Sequence, residues 1–171
     1  MPFLRFRPAI LVTLLAAILL PGRAAHAGGP LLVRSTGAPF VWSTAAPIAY
    51  RTDNGPLSAT VAEAAARARV SAMFQVWTDV PSANISFARA GFITDVGAFT
   101  DGDVSTGPEF TAVENDCFDG GQSPIVYDVN GAIFIDLGLD ETSVLGFAGP
   151  CAIDGAQFVS GRAALNGLFQ D

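Results

Sequence analysis

Lysine is absent from this chain, and its single histidine, His26, lies close to the amino terminus. All nine basic residues are therefore arginines. Cysteine is limited to Cys117 and Cys151, and tryptophan to Trp42 and Trp77. Each scarcity removes a class of chemistry. With no imidazole beyond residue 26, no serine or cysteine nucleophile in the later sequence can draw on a histidine base. Zinc sites built on histidine go the same way. Acid–base work falls to carboxylates and tyrosines, and the metal such a chain attracts is an oxygen-seeking one.

The amino terminus reads as a leader. Arg5 and Arg7 are followed by an apolar run from Ala9 to Leu20, and Ala25-His26-Ala27 fits a small-x-small cleavage site. That layout predicts a signal peptide over residues 1–27 and a secreted or periplasmic product. The apolar run is too short for a spanning helix, which needs ~20 residues. No cysteine follows the cleavage site to carry a lipid anchor.

What remains, residues 28–171, is one domain's worth of chain. It holds six arginines against 16 acidic residues, and six less 16 is a formal charge of −10. Such a surface repels nucleic acid and, once the leader is gone, anionic membrane, and attracts hard cations; a protein or peptide is the partner class left open. Two cysteines in an exported chain predict a Cys117–Cys151 disulfide.

Periodicity outlines the elements. Residues 28–46, rich in Gly, Pro, Ser and Thr, predict an extended lead-in whose Trp42 covers the edge of the core. PIAYRTD, 47–53, predicts a short strand with Ile48 and Tyr50 on one face, closed by the turn Asn54-Gly55-Pro56. A helix is predicted over 58–80. Ala66, Val70, Met73, Phe74 and Trp77 form its apolar stripe, Ser58 or Thr60 its cap with Glu63 completing a capping box, and Pro81 its stop. Glu63 and Arg67 stand one turn apart as a surface pair. SANISFARA, 82–90, alternates like a strand, so strand, helix and strand form a β-α-β unit with parallel strands. Asn84-Ile85-Ser86 matches a glycosylation triplet, discounted because it falls within that strand.

From Gly91 to Ser123 the periodicity fades. Asp95, Asp101, Asp103, Glu109, Glu114, Asp116 and Asp119 accumulate there without one basic residue. The stretch is either a solvated irregular loop or one stiffened by calcium, which takes six to eight oxygens. IVYDVNGAIFID, 125–136, has β-rich runs on both sides of Asn130-Gly131 and predicts a hairpin or tight turn. Asp128, Asn130 and Asp136 are the alternative there, as calcium ligands. A turn at Asp154-Gly155 and edge-type strands complete the expectation.

Trp42 followed by PIAYRTDNGPLS, a helix ending VSAMFQVWTDV, then ANISF, resembles the opening of a matrixin-like zinc metallopeptidase of the metzincin, or zincin, group. IVYDVNGAIF, VLGFAGP and GRAALNG resemble the middle of secreted bacterial members. The resemblance covers most of Trp42 to Gly167. It implies an α+β fold, a zincin-like N-terminal subdomain with a twisted mixed sheet and one long helix. In the family a helix carrying HExxHxxGxxH supplies three zinc ligands and a glutamate base. No position of this sequence matches that motif, so no catalytic residue carries over. The domain over 28–171 is accordingly read as truncated before the active-site helix and inactive, with zinc expected only in full-length relatives. The alternative is a non-enzymatic secreted binding or structural module stabilised by calcium. A glycosidase-like pair of carboxylates has no spacing to support it.

Overall fold

The computed structural model describes residues 32–169, so the predicted leader at 1–27 lies outside the described residues. The fold is α+β. In chain order it contains β1 (Val41–Trp42), β2 (Ile48–Thr52), α1 (Glu63–Thr78), β3 (Phe87–Phe92), α2 (Gly107–Phe118) and β4 (Pro124–Asp128). There follow α3 (Ala132–Asp136), β5 (Gly146–Pro150), β6 (Ile153–Asp154), β7 (Gln157–Phe158), β8 (Gly161–Asn166) and a 3-10 turn, Gly167–Phe169. Five strands make a mixed sheet in the order β3-β2-β4-β8-β5. All neighbours in it are parallel except β5, which runs antiparallel to β8. A smaller sheet, β1-β7-β6, stands apart.

The predicted β-α-β unit forms, with Tyr50 opposite Arg89 in a parallel β2–β3 ladder. Its boundaries differ. β3 starts at Phe87, so Asn84 precedes the strand and is exposed. The cap of α1 is Ala62, whose side chain makes no capping hydrogen bond. Ser58 instead takes the Thr60 and Val61 amides and closes the turn before the helix. The apolar stripe is also shorter than predicted. Ala66 and Val70 are buried and Phe74 packs between Tyr50 and Phe87, but Met73 and Trp77 are 52% and 64% exposed. The last apolar positions of the helix therefore face solvent more than core.

Two expectations are overturned by helices. Within the acidic stretch, residues 107–118 form α2. Thr106 and Glu109 make the reciprocal capping box, Pro108 occupies the first turn, and Phe110, Val113 and Cys117 face inward. The acids of the helix are half-buried and each has a partner: Glu109 takes the Ser105 and Thr106 amides, Glu114 pairs with Arg162 and Asp116 takes the Gln122 amide. The signal was a T-x-x-E box with proline just inside it, a start pattern hidden by the density of charge. The fold thus has a second substantial helix beside the long one.

Asn130-Gly131 makes the tight turn but not the hairpin. Gly131 adopts φ 79° as the N-cap of α3, and the chain continues into helix instead of returning beside β4. Ile133 and Phe134 are buried while Ile135 is 56% exposed, a helical and not an alternating pattern. β4 is buried at all five positions because it lies in mid-sheet between parallel partners, the environment that favours a continuous apolar run.

The core is divided by the sheet. On one face Tyr50, Ile125 and Tyr127 pack against Ala66 and Val70 of α1. On the other, Val126 and Ala164 meet Phe110 and Val113 of α2 and Ile133 and Phe134 of α3. Cys117 and Cys151 form the predicted disulfide, Cα atoms 5.5 Å apart, joining the end of α2 to the turn after β5. Arg162 of β8 pairs with Glu114 of α2, and its guanidinium lies over the Phe118 ring. Among the described residues no helix is long and apolar enough to cross a membrane.

Candidate functional site

The parallel strands end on buried polar side chains. Asp53 follows β2, Asp128 closes β4 and Asn166 closes β8, and all three are at most 1% exposed. This carboxyl end of a parallel sheet is where open α/β folds usually place ligands. Here the side chains are turned to the backbone. Asp53 Oδ1 accepts the amides of Gly55 and Val104, and its Oδ2 accepts that of Tyr127. Burial pushes the Asp53 carboxyl up to about 7 despite those three donors. Asn166 donates to the carbonyls of Glu141 and Val144 and accepts the Leu168 amide. Gly167 passes so close to the Leu57 carbonyl that no side chain fits there.

The three residues singled out for calcium are held in the same manner. Asp128 Oδ2 accepts the Phe134 amide at 3.0 Å, and burial raises its pKa while backbone amides of α3 partly offset the rise. Asn130 Oδ1 accepts the Ala132 amide at 3.1 Å. Asp136 Oδ2 reaches outward instead, to the Gly107 amide at the start of α2, at 2.9 Å. Asp128 and Asn130 thus bracket the entry to α3, whereas Asp136 ties its exit to another helix. Among the described residues no group of three or more His, Cys, Asp or Glu side chains is placed to hold a metal ion. Asp53, which sequence reading passed over, is the most strongly perturbed carboxylate of this end. Its position directly after a strand and before Asn-Gly was the available signal.

A concave site lies elsewhere. A cleft of about 680 Å³ opens between the β2–β3 part of the large sheet and the small sheet. Ala49, Arg51 and Ala90 come from the large sheet, Trp42 and Phe158 from the small one, and the loop at Gln122 from beyond α2. Trp42, predicted to cover a core edge, packs on Phe158 with ring centroids 5.6 Å apart and lines this cleft. Arg51 Nη1 donates to the Phe92 carbonyl at 2.8 Å. No ion pair to Arg51 is found among the described residues.

No protein-family model, curated protein or solved structure matches the chain.

Proposed function

We propose that this chain carries the N-terminal, sheet-bearing portion of an exported matrixin-like zinc metallopeptidase domain, and that residues 28–171 hold no proteolytic centre of their own. The observation that supports it is the opening β2-α1-β3 unit, parallel and followed by further strands of one mixed sheet. That is the arrangement the resemblance of Trp42 to Gly167 implies. A disulfide accords with export.

Zinc does not fit the residues present. Residues 28–171 contain no imidazole, and both thiols are consumed in the disulfide. On this reading the family's HExxHxxGxxH helix is not among the residues of this chain. Reading the gene beyond codon 171 in all three frames tests it, and finding no HExxH-type motif there removes the main support. In parallel, the purified protein is expected to hold no stoichiometric zinc and to cleave no peptide.

A second reading, a non-enzymatic secreted binding module, is favoured by the cleft between the two sheets. For its calcium-stabilised form, Asp128, Asn130 and Asp136 remain the ligand set to test.

A further inference from the structure

The cleft between the sheets combines three features that the fold alone does not require. Its floor is made of small side chains, Ala49 and Ala90, so the sheet backbone is open to a flat group. Its wall carries two aromatic rings, Trp42 and Phe158, in contact with each other. It also contains Arg51, whose guanidinium spends one N–H on the Phe92 carbonyl and makes no ion pair among the described residues. In a chain with so few basic groups, a half-exposed guanidinium with free N–H donors in a concavity is available to an anionic partner. The acidic residues of the lining do not supply one. Asp116 is turned to the Gln122 amide at 2.9 Å, and Asp154 is exposed on the β6–β7 hairpin. The volume falls in the range of small-ligand sites, which are mostly apolar with a few orienting polar groups.

We propose that this cleft binds a carboxylate carried on a flat apolar body, the carboxylate on Arg51 and the body against Trp42 and Phe158. A guanidinium presents parallel N–H donors to a carboxylate, which is why arginine and not lysine serves such recognition. An aromatic wall supplies apolar contact at little cost in side-chain freedom. The backbone helps to set the position of the cation. Gly91, opposite in β3, adopts φ 121°, and a side chain there would crowd the Arg51 guanidinium at 3.3 Å. The same chemistry is offered by a free aromatic acid and by a peptide ending in an aromatic residue.

Tryptophan fluorescence tests this on the purified protein. Trp77→Phe removes the other tryptophan, which is exposed on α1, and leaves Trp42 as the reporter. Benzoate and N-acetylphenylalanine are titrated against benzamide and N-acetylphenylalaninamide, and a phenylalanine-terminated peptide against its amidated form. Saturable change with the acids, weakened at least about tenfold in the amides, is the expected result, since a charge-assisted hydrogen bond is worth that much. Saturation by the small acids alone assigns the site to free acids, and by the peptide alone to peptide ends. Arg51→Gln is expected to abolish the preference for acid over amide while Arg51→Lys keeps part of it. Equal response to acids and amides, or no saturation by any acid up to about 10 mM, overturns the proposal, because such weak contact is below specific recognition. The acid–amide comparison needs no variant at Arg51, so a folding defect in Arg51→Gln does not blur the outcome.

Discussion

The Tyr127 amide donates to the Asp53 carboxylate across the β2–β4 junction, at 3.2 Å, and joins two parallel strands through a side chain beyond the point where their ladder pairs. Asp53 is fully buried, and burial raises its pKa from the ordinary 3.8 to about 7. A carboxyl harder to ionise in the folded chain than in the unfolded one keeps its proton longer on folding. The folded state therefore binds more protons between the two values. Its contribution to stability is complete below about 3.8 and is lost as pH rises through about 7. Urea melts from pH 4 to 8 are expected to show stability falling across that window. Asp53→Asn should flatten this dependence and cost ~1–3 kcal/mol at the acid end, because an amide nitrogen cannot accept the Tyr127 N–H.

The Tyr127 hydroxyl is a contrasting case. The ring is 1% exposed beneath α1, and its oxygen has no hydrogen-bond partner among the described residues. Burial, reinforced by the neighbouring Asp53, drives its pKa upward and keeps it protonated. Tyr127→Phe discards an unsatisfied polar atom and keeps the ring, so stability is expected to hold or to rise by up to ~1 kcal/mol. Tyr127→Ala removes the ring and should cost ~3–5 kcal/mol. A loss on Tyr127→Phe in chemical denaturation would reveal a buried water on the hydroxyl.

The disulfide spans 34 residues between α2 and the β5–β6 turn. Loop-closure entropy for that length gives ~3–4 kcal/mol. The double substitution Cys117→Ala and Cys151→Ala should lose about that much in thermal or urea unfolding, and the wild type in reductant should match the variant. Ser160, whose hydroxyl donates to the Cys117 carbonyl, keeps the β8 side of the junction in place in both.

Along α1, burial and not spacing sets the energetic order. Val70→Ala removes a 1% exposed side chain and is expected to cost ~1–3 kcal/mol. Met73→Ala and Trp77→Phe act on exposed positions and should stay within ~0.5 kcal/mol. Equal losses at Val70 and Trp77 would restore the longer stripe that the heptad-like pattern predicts.

Asp128, Asn130 and Asp136 each already accept a backbone amide. Thermal melts in calcium and in chelator are accordingly expected to coincide. A rise of several degrees in calcium would assign these oxygens to a cation. Asp136→Ala should cost ~1 kcal/mol in either buffer, because the Gly107 amide at the start of α2 loses its acceptor while the Thr106 cap stays in place.

Much of the architecture was legible because it is written in local terms. β2, the body of α1, and β3 follow from apolar spacing that any short window contains, and the parallel β2–β3 order follows from the handed geometry of a strand-helix-strand unit. The disulfide followed from there being only two cysteines, Cys117 and Cys151. α2 was legible as well, through Thr106, Pro108 and Glu109, but the acidic residues around them were weighed as loop. Asn130-Gly131 misled for a physical reason: a glycine at positive φ serves a hairpin turn or a helix N-cap equally well, and only the packing of Ile133 and Phe134 beneath α2 chooses.

The candidate sites divide along the same line. Sequence alone excludes imidazole chemistry from residues 28–171, since no arrangement in space creates a histidine. It also sets the acidic balance and the shortage of cations. Only the tertiary structure determined that Asp53, Asp128 and Asn166 are spent on closing loops, and that Arg51 faces a cleft beside Trp42 and Phe158. Those outcomes depend on which distant backbone amides and rings a side chain meets. Trp42 and Phe158 are more than a hundred residues apart in the chain, and only their meeting across the small sheet makes a wall.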